Sequence, residues 1–480
     1  NGIVSPDRTT HPAMAEVKYV HQNVAFEPVD PANGKFLVKN RFYFTNLQKY
    51  MISYTIKANG KTVKGGKMSV NVEPQGSKEI TIPVSGLKSK PGTEYFIYFN
   101  VTTTEPEPLI PVGHEIAYEQ FRLPVEPGER TFATGGPTLK VSAEGNELSA
   151  SSSKVSFVFD KKTGLVSSYK VGGTEYFKDG FGLQPNFWRA PNDNDYGNGN
   201  PKRLQVWKQS SKNFNVVDAS IVMDGKDAVL TANYLLAAGN LYIVTYRIHP
   251  SGVVKADFTF TSTDMEAAKT EASEATLMAT FTPGSDAARK AASKLEVPRI
   301  GVRFRLPAEM NQVEYFGRGP EENYVDRNAG TLIDLYKTTA DNMHFPYVRP
   351  QENGHHTDTR WLTLNKKGGK GLTIYADKTI GFNALRNSVE DFDGEETVSR
   401  PYQWLNRDAG ELVHDESKAK DQLPRKTHIN DISPRNFVEV CVDMKQQGVA
   451  GYNSWGARPE PGYNIPANQE YKWGFTIVPR

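Results

Sequence analysis

The chain has 480 residues, a length that predicts several domains at about 150 residues per domain. Hydrophobic residues make up 38% of the chain, an ordinary share for a globular protein, so disorder of the whole chain is excluded. Lys and Arg number 57 against 55 Asp and Glu, and this near balance excludes the strongly basic surface that a nucleic-acid partner requires.

Cysteine usage and hydropathy narrow the class of protein further. Cys441 is the only cysteine, which excludes an intramolecular disulfide and a zinc or iron–sulfur site built from cysteines. The absence of an intramolecular disulfide leaves the cellular compartment open, because a protein without disulfides folds in reducing and oxidising surroundings alike. No run of 18 apolar residues is present, so we expect no membrane span. The chain starts at Asn1 rather than at Met, and we therefore expect it to be processed or cut from a longer protein.

The first clear elements along the chain are strands joined by a tight turn. Ile52, Tyr54 and Ile56 recur with the period of two that is typical of a half-buried strand. Asn59 and Gly60 follow, and this dipeptide accepts the two positive φ angles of a type I′ turn. The pattern predicts a β-hairpin.

Strand patterns of the same kind continue through the first quarter of the chain. Seven such segments between about residues 17 and 123 predict an immunoglobulin-like β-sandwich, a fold of about 100 residues. We place this domain at 23–124. The next residues, 125–135, contain Pro and Gly and predict a linker.

A second and larger β region follows the linker. Val155, Phe157 and Phe159 repeat the period of two, and 214–260 predicts a meander of strands separated by turns that contain Gly. We find no alternation of strands with ten-residue helices, which disfavours a parallel α/β sheet. We therefore expect a large antiparallel sandwich over 136–480. The stretch 264–295 is rich in Ala, Lys, Glu and Ser, and a short helix and an ordered insertion both stay open for it.

Carboxylates offer the first candidates for chemistry, since phosphate-binding, dinucleotide, nucleophile-elbow and zinc-helix motifs are absent from the sequence. Hydrolysis of a glycosidic bond needs two carboxylates about 5 to 10 Å apart. Glu321 and Glu322 are the obvious adjacent pair, but neighbouring residues on a strand point to opposite faces. We expect a loop or structural role for this pair rather than a catalytic one.

Glu352, His355 and His356 form the densest cluster of potential metal ligands or acid–base groups. The cluster surrounds Asn353-Gly354, a dipeptide that favours a turn. We expect a turn with solvated histidines here, and a metal or acid–base site is the alternative.

Two further segments suggest ligand contacts. Asp193-Asn194-Asp195 carries hard oxygen ligands but lacks the bidentate Glu of a calcium loop, so we interpret it as a polar loop presented to a ligand. Trp455 stands in a segment rich in Gly, where its indole could form a flat face for a sugar ring. A Trp that plugs the end of a sandwich explains the residue equally well.

Taken together, five segments resemble the family 2 β-galactosidases, and they occur in the same order as in that family. The resemblance covers essentially the whole chain. The segments are Asn1-Gly2-Ile3-Val4 with Asp7-Arg8-Thr9-Thr10-His11-Pro12 and Glu16, then 188–197, 316–327, 346–354 and 448–456.

The resemblance implies an all-β chain, an immunoglobulin-like β-sandwich followed by a large antiparallel β-supersandwich of the galactose-mutarotase type. Residues 1–22 would be the exit segment of a catalytic barrel. The two glutamates of a retaining mechanism lie on that barrel in the family, upstream of Asn1, so the resemblance implies no catalytic residue in this chain and no activity of the chain alone.

The resemblance also implies substrate-binding residues. Trp455 matches the tryptophan that forms a platform for the aglycone sugar. Asn1 matches an asparagine at the edge of the active site that helps to bind a sodium ion near the galactose 6-hydroxyl. Asn192, Asp193 and Gly197 match a mobile segment beside the same pocket, with Gly197 as its hinge. Full-length members use sodium and magnesium, and we expect no cofactor to be retained by this chain alone.

Departures from the family pattern leave the substrate open. Insertions at 264–295 and 393–425 are longer than expected, and His355-His356 stands where an Arg is commoner. Loops beside a pocket set specificity, so these differences bear on the choice of β-galactoside.

Four functions follow from these observations. The first is the C-terminal part of a β-galactosidase, with a β-galactoside or oligosaccharide as substrate and the upstream barrel as partner. The others are the small subunit of a two-chain enzyme, an aldose epimerase that uses Glu352 as base and His356 as acid, and a stand-alone carbohydrate-binding module. A homo-oligomer and a bacterial cytoplasmic or periplasmic location stay open.

Overall fold

In the computed structural model, residues 2–261, 295–393, 428–453 and 456–480 are described. The insertions expected at 264–295 and 393–425 lie outside these residues, except for one residue of each. The described chain consists mainly of antiparallel strands in a small and a large sandwich, which confirms the expected fold class.

The chain enters the small sandwich through helix α1, Ala13–Val20, which has no buried residue. Polar contacts tie this helix to both sandwiches. Tyr19 donates a hydrogen bond of 2.7 Å from its hydroxyl to Glu119, and Glu16 accepts one of 2.7 Å from the backbone N–H of Gly330. The helix therefore bridges the two bodies.

The small sandwich consists of a three-stranded sheet, β1-β2-β5, and a four-stranded sheet, β4-β3-β6-β7. Asn59 and Gly60 join β3 to β4 with φ angles of 43° and 83°, so the predicted hairpin is confirmed. The seven strands are β1 Val24–Asp30, β2 Lys35–Asn40, β3 Tyr50–Ala58, β4 Lys61–Met68, β5 Ser77–Thr81, β6 Tyr95–Thr103 and β7 Glu115–Arg122.

The core between these two sheets is apolar. Phe99 of β6 stacks on Phe26 of β1 with ring centroids 4.5 Å apart, and Phe36 of β2 meets the same ring edge to face at 5.1 Å. Ile52 and Ile97 are completely buried beside them. The period of two recognised in the sequence is thus the inward face of the sheets.

The large sandwich has a five-stranded sheet, β12-β11-β10-β9-β8, and a sheet of twelve strands. In the first sheet the strands are β8 Lys140–Glu144, β9 Glu147–Ser151, β10 Val155–Asp160, β11 Leu165–Val171 and β12 Thr174–Glu175.

In the second sheet the main path is β13-β18-β23-β22-β24-β17-β16-β15-β14, and β21, β19 and β20 extend it from β22. Its strands are β13 Gln184–Asn186, β14 Asn215–Asp224, β15 Asp227–Leu235, β16 Leu241–Ile248, β17 Val254–Phe260, β18 Arg299–Pro307, β19 Gln312–Gly319, β20 Leu332–Thr339, β21 His356–Asn365, β22 Gly371–Leu385, β23 Phe437–Gln446 and β24 Tyr471–Pro479.

Short helices lie between strands of the large sandwich along the chain. They are α2 Asp193–Gly197, α3 Asn200–Arg203, α4 Gln205–Ser210 and α5 Val389–Phe392.

The two sandwiches meet along β20. Gln120 of β7 donates from Nε2 to the carbonyl oxygen of Ile333 and accepts from its backbone N–H, both at 2.8 Å. Phe96 and Phe316 pack beside Ile333 in a separate apolar cluster. The turn at Gly60 also approaches closely, since a Cβ there would lie 2.5 Å from Cβ of Leu335. The junction is therefore a closely packed interface.

Candidate functional site

Five stretches that are distant in sequence line a cavity of about 400 Å³, which we call the loop cavity. They are residues within 2–13, the start of α2 at 192–194, residues within 322–327 and within 347–352, and the segment 449–451. Asn192 and Asp193 thus lie beside Gly2, which immediately follows Asn1. Two of the predicted substrate-binding residues, Asn192 and Asp193, therefore line one cavity.

The residues predicted as a polar loop form a capped helical turn instead. Asn192 accepts a hydrogen bond of 2.8 Å at Oδ1 from the backbone N–H of Asp195, and Asp195 accepts one of 3.1 Å at Oδ2 from the backbone N–H of Asn192. Such reciprocal bonds satisfy N–H groups that a helix start would leave open. The expectation of a loop was wrong because Asp195 turns inward, towards Arg189.

Arg189 holds α2 against the segment that follows β23. Its guanidinium is 2% exposed and binds both carboxylate oxygens of Asp195, at 3.1 and 2.8 Å. It also donates to the carbonyl oxygens of Gln447, at 2.6 Å, and Gly448, at 3.0 Å. Burial alone would lower the pKa of Arg189, but the Asp195 carboxylate outweighs burial and raises it, so the residue stays cationic.

Asp193 lies at the edge of the loop cavity in an ion pair. Its Oδ1 is 3.0 Å from Nη1 of Arg349. The Arg349 guanidinium lies over the ring of Tyr196, 3.7 Å from the centroid, a cation–π arrangement. These contacts hold the Asp193 side chain in place at the edge of the loop cavity.

Gly197 lies under the segment that contains Trp455. A Cβ on Gly197 would be 3.1 Å from Cα of Gly456, and a Cβ on Gly456 would overlap the carbonyl oxygen of Gly197. At the other end of that segment, a Cβ on Gly451 would be 2.9 Å from Nδ2 of Asn194. Both glycine ends of 451–456 therefore rest directly on α2.

Some of the predicted residues cannot be placed. Asn1 and Trp455 lie outside the described residues, so the substrate and sodium roles of Asn1 and the platform role of Trp455 stay predictions. The hinge role of Gly197 stays a prediction as well. No three His, Cys, Asp or Glu side chains of the described residues are grouped so that they could hold a metal ion.

Glu321 and Glu322 differ in solvent exposure. Glu321 is exposed in a loop, whereas Glu322 is 6% exposed. Glu322 accepts hydrogen bonds from the Tyr347 hydroxyl at 2.5 Å, from Arg327 at 3.0 Å and from the backbone N–H of Gly354 at 2.6 Å. These contacts fit the structural role expected for this residue.

The expectation of solvated histidines at 355 and 356 was wrong. His355 is 1% exposed and stacks on Tyr324 with ring centroids 5.4 Å apart. His356 is 3% exposed, and its ring nitrogens lie 3.0 Å and 3.1 Å from the carbonyl oxygens of Gly354 and Pro320. Burial lowers the pKa of both rings, and the Arg299 charge lowers that of His355 further. Both histidines are therefore buried parts of the core rather than solvated groups.

Glu352 belongs to a buried ionic cluster that the sequence did not reveal. Its Oε1 is 3.0 Å from Nη2 of Arg299, and Gln446 donates to it at 3.2 Å. Arg299 also places Nε 3.2 Å from Oδ2 of Asp443. Burial nevertheless raises the pKa of Asp443 to about 7, because the loss of hydration outweighs the attraction to Arg299. A charged residue at the start of an apolar strand, as Arg299 is in β18, was the only signal of this cluster.

A larger cavity of about 540 Å³ lies between α1 and the two sandwiches and shares His11 and Glu322 with the loop cavity. Tyr98, Tyr118 and Tyr336 line it, whereas Asn192 and Asp193 do not. We therefore take the loop cavity, which Asn192 and Asp193 line, as the candidate site. Among the described residues, no helix is long and apolar enough to cross a membrane.

Comparison with known proteins gives two family matches. The family of the β-galactosidase small chain matches residues 151–477, and that of β-galactosidase domain 4 matches residues 36–124. The β-galactosidase of Priestia megaterium is 30% identical over all of this chain and 41% of that protein. That of Halalkalibacterium halodurans is 26% identical over 99% of this chain and 41% of that protein.

The chain thus spans about two fifths of the length of these curated relatives. Among solved structures, galactose 1-epimerase from Lactobacillus acidophilus aligns with a TM-score of 0.33 and 6% identity, over 71% of this chain and 98% of that one.

Proposed function

The chain belongs to the family of β-galactosidase small chains, and from that premise we propose that it is the C-terminal part of a retaining β-galactosidase that hydrolyses terminal β-D-galactosides. In this proposal the chain shapes the aglycone side of the active site and supports the assembly. It is not catalytic by itself, because both glutamates of the reaction lie on the upstream barrel.

The observation that carries the proposal is the loop cavity. Its walls come from the N-terminal residues, from α2, and from residues within 322–327, 347–352 and 449–451, and each of these stretches overlaps a segment of the family pattern. Asn192 and Asp193 line it beside Gly2. A cavity of about 400 Å³ is within the range of about 300 to 1,000 Å³ that is usual for small-molecule sites.

Each residue has a separate task in this proposal. Asn1 holds the galactose side through its amide oxygen, and a bound sodium ion would supply positive charge beside the 6-hydroxyl. Trp455 offers a flat face to the leaving sugar. Asp193, fixed by Arg349, presents a carboxylate to sugar hydroxyls at the edge of the cavity. Gly197 acts as the hinge of the segment 192–197, which bears Asn192 and Asp193.

The direct test is hydrolysis of nitrophenyl-galactoside by the chain alone and by the full-length enzyme that includes the upstream part. We expect activity only when the upstream part is present. Turnover by the 480-residue chain alone would contradict the proposal.

Trp455→Ala in the full-length enzyme tests the aglycone side. Loss of a stacking contribution of about 1 kcal/mol predicts a rise of about fivefold in the KM for lactose. Tm should stay within a few degrees, because the substitution removes a ligand contact rather than core packing. An unchanged KM, or a large fall in Tm, argues for a Trp that plugs the sandwich instead.

The second candidate function is the small subunit of a two-chain β-galactosidase, which the description of the matching family favours. Mixing the separately purified chain with the upstream part distinguishes the two. A natural subunit should restore activity at nanomolar to micromolar concentration, whereas a severed fragment should need covalent linkage. The epimerase alternative is less well supported, because its proposed base, Glu352, lines the loop cavity but is paired with Arg299 in a buried ion pair.

A further inference from the structure

We propose that Asp326 is a positioning residue that fixes the segment 448–451 and thereby sets the aglycone wall of the loop cavity. The proposal rests on the proposed function, because it takes this cavity as the place where the leaving sugar binds. Asp326 lies in the turn between β19 and β20, within the segment 316–327, and its neighbours Tyr324 and Arg327 line the loop cavity.

The contacts of Asp326 are directed at backbone rather than at another charge. Its Oδ1 accepts a hydrogen bond of 2.9 Å from the N–H of Val449, and its Oδ2 accepts one of 2.8 Å from the N–H of Ala450. A Cβ on Gly448 would lie 2.5 Å from the same Oδ2. One carboxylate thus binds two consecutive N–H groups, a charge-assisted arrangement stronger than two neutral hydrogen bonds.

Two other side chains bind the carbonyl groups of the same segment. Arg189 donates to Gly448 at 3.0 Å, and Asn194 donates from Nδ2 to Val449 at 3.0 Å. Donors on one side and an acceptor on the other therefore determine where the backbone of 448–450 runs. Asp326 is the only acceptor among these three groups.

The segment requires this support because its backbone is strained. Ala450 has a φ of 55°, in the left-handed region that L-residues avoid, and Gly451 follows with a φ of 108°. Such a conformation costs about 1 to 2 kcal/mol at a residue with a Cβ and persists only when surrounding contacts determine it. Strained residues of this kind concentrate at ligand sites. Both Ala450 and Gly451 line the loop cavity.

Asp326 and the cavity wall would therefore have different roles in the site. Asp326 itself does not line the cavity, but the wall that it fixes does. Loosening this wall should weaken binding of the sugar that leaves or accepts the galactosyl group, and it should affect the chemistry on the distant barrel less. The effect should therefore fall mainly on KM for lactose rather than on kcat.

Asp326→Asn in the full-length enzyme tests the proposal. An amide has one acceptor oxygen, so one hydrogen bond is lost and an NH₂ group faces a backbone N–H. Hydrogen exchange at Val449 and Ala450 should become roughly tenfold faster. The KM for lactose should rise about fivefold, and kcat should change by less than that.

Asp358→Asn is the matched control. Asp358 accepts a hydrogen bond of 2.6 Å from Nε of Arg318, and its φ of 51° suits Asn. It makes no contact with 448–451 among the described residues, so exchange there and the KM for lactose should match the wild type. Equal changes in both variants would overturn the proposal, as would an Asp326→Asn variant with unchanged exchange and KM.

Ala450→Gly decides the matter if Asp326→Asn does not fold. Gly relieves the left-handed strain and gives the wall more freedom, so Tm should stay the same or rise while the KM for lactose increases. An unchanged KM in this variant overturns the proposal. A wild-type full-length enzyme without galactosidase activity would instead contradict the proposed function, and the exchange experiment would still report whether Asp326 fixes the segment.

Discussion

The two sandwiches are stabilised in different ways. In the small sandwich the buried polar side chains are Asn40 and Thr103, and the rest of its core is apolar. The large sandwich buries Arg189, Arg299 and Asp443, each 2% exposed or less. Apolar packing tolerates exchange of similar shapes, whereas a buried ion pair requires its partner at one position. The difference places the position-sensitive contacts in the body that lines the loop cavity.

A second ionic group strengthens this contrast. Arg303 binds Glu390 at 2.6 Å and Glu439 at 3.2 Å, and Glu439 also accepts from Arg305 at 2.8 Å. Burial would raise the pKa of Glu390, but the Arg303 charge outweighs it and lowers that pKa well below its usual range. The three arginines of β18, Arg299, Arg303 and Arg305, are therefore all paired with carboxylates.

The largest effect is expected from Arg299→Met. The substitution leaves Glu352 and Asp443 buried without their cation, and removal of one partner of a buried pair costs about 3 to 5 kcal/mol. Urea denaturation of the purified chain measures this loss. Arg247→Met is the control, because Arg247 forms an exposed pair with Asp224, and such pairs contribute less than about 1 kcal/mol. Similar losses in both variants would contradict the contrast.

Asp443→Asn tests the contrast between the two sandwiches through the pH dependence of the free energy of unfolding. The folded chain holds the Asp443 proton up to about pH 7, whereas the unfolded chain releases it near the usual value of 3.8. Folding therefore binds a proton between these values, and the contribution of Asp443 to stability falls as pH rises through this window, by at most about 1.4 kcal/mol per pH unit.

Asn imitates the protonated carboxyl group and removes this dependence. The free energy of unfolding of the variant minus that of the wild type should therefore increase from pH 5 to pH 7 and then level off. Denaturation at a series of pH values measures this difference. A difference that stays constant or decreases over the range would mean that Asp443 is ionised throughout.

The smallest effect is expected from Ile97→Val in the small sandwich. Ile97 is completely buried, and loss of one methylene there costs about 1 kcal/mol. Denaturation should give this value independently of pH between 5 and 8, since that core cluster contains no Asp, Glu or His side chain. A clear pH dependence of the loss would show that the two bodies do not differ as proposed.

Local sequence patterns predicted much of the fold for physical reasons. The period of two identifies a strand with one buried face, and Asn59-Gly60 identifies a turn that few other dipeptides can form. Both signals depend on neighbours in sequence. The helical turn at 193–197 escaped prediction because it depends on Asp195 binding Arg189 and on the segment after β23.

The candidate site was only partly predictable for the same reason. Asn192 and Asp193 could be selected because they resemble a family motif. Arg299 and Asp443 meet only when β18 pairs with β23, more than 140 residues apart, and no local pattern encodes that pairing. Asp326 lies in the segment 316–327 that resembles the family pattern, but its role could not be predicted, because its partners are backbone N–H groups, which every sequence has.

Strand β20 forms an edge of the twelve-stranded sheet, since among the described strands it pairs only with β19. The side chain of Gln120 occupies both backbone groups of Ile333 on the outer side of this edge. An open strand edge is a template for association with other chains, and a polar cover prevents it. The small sandwich therefore shields this edge from pairing with a strand of another chain.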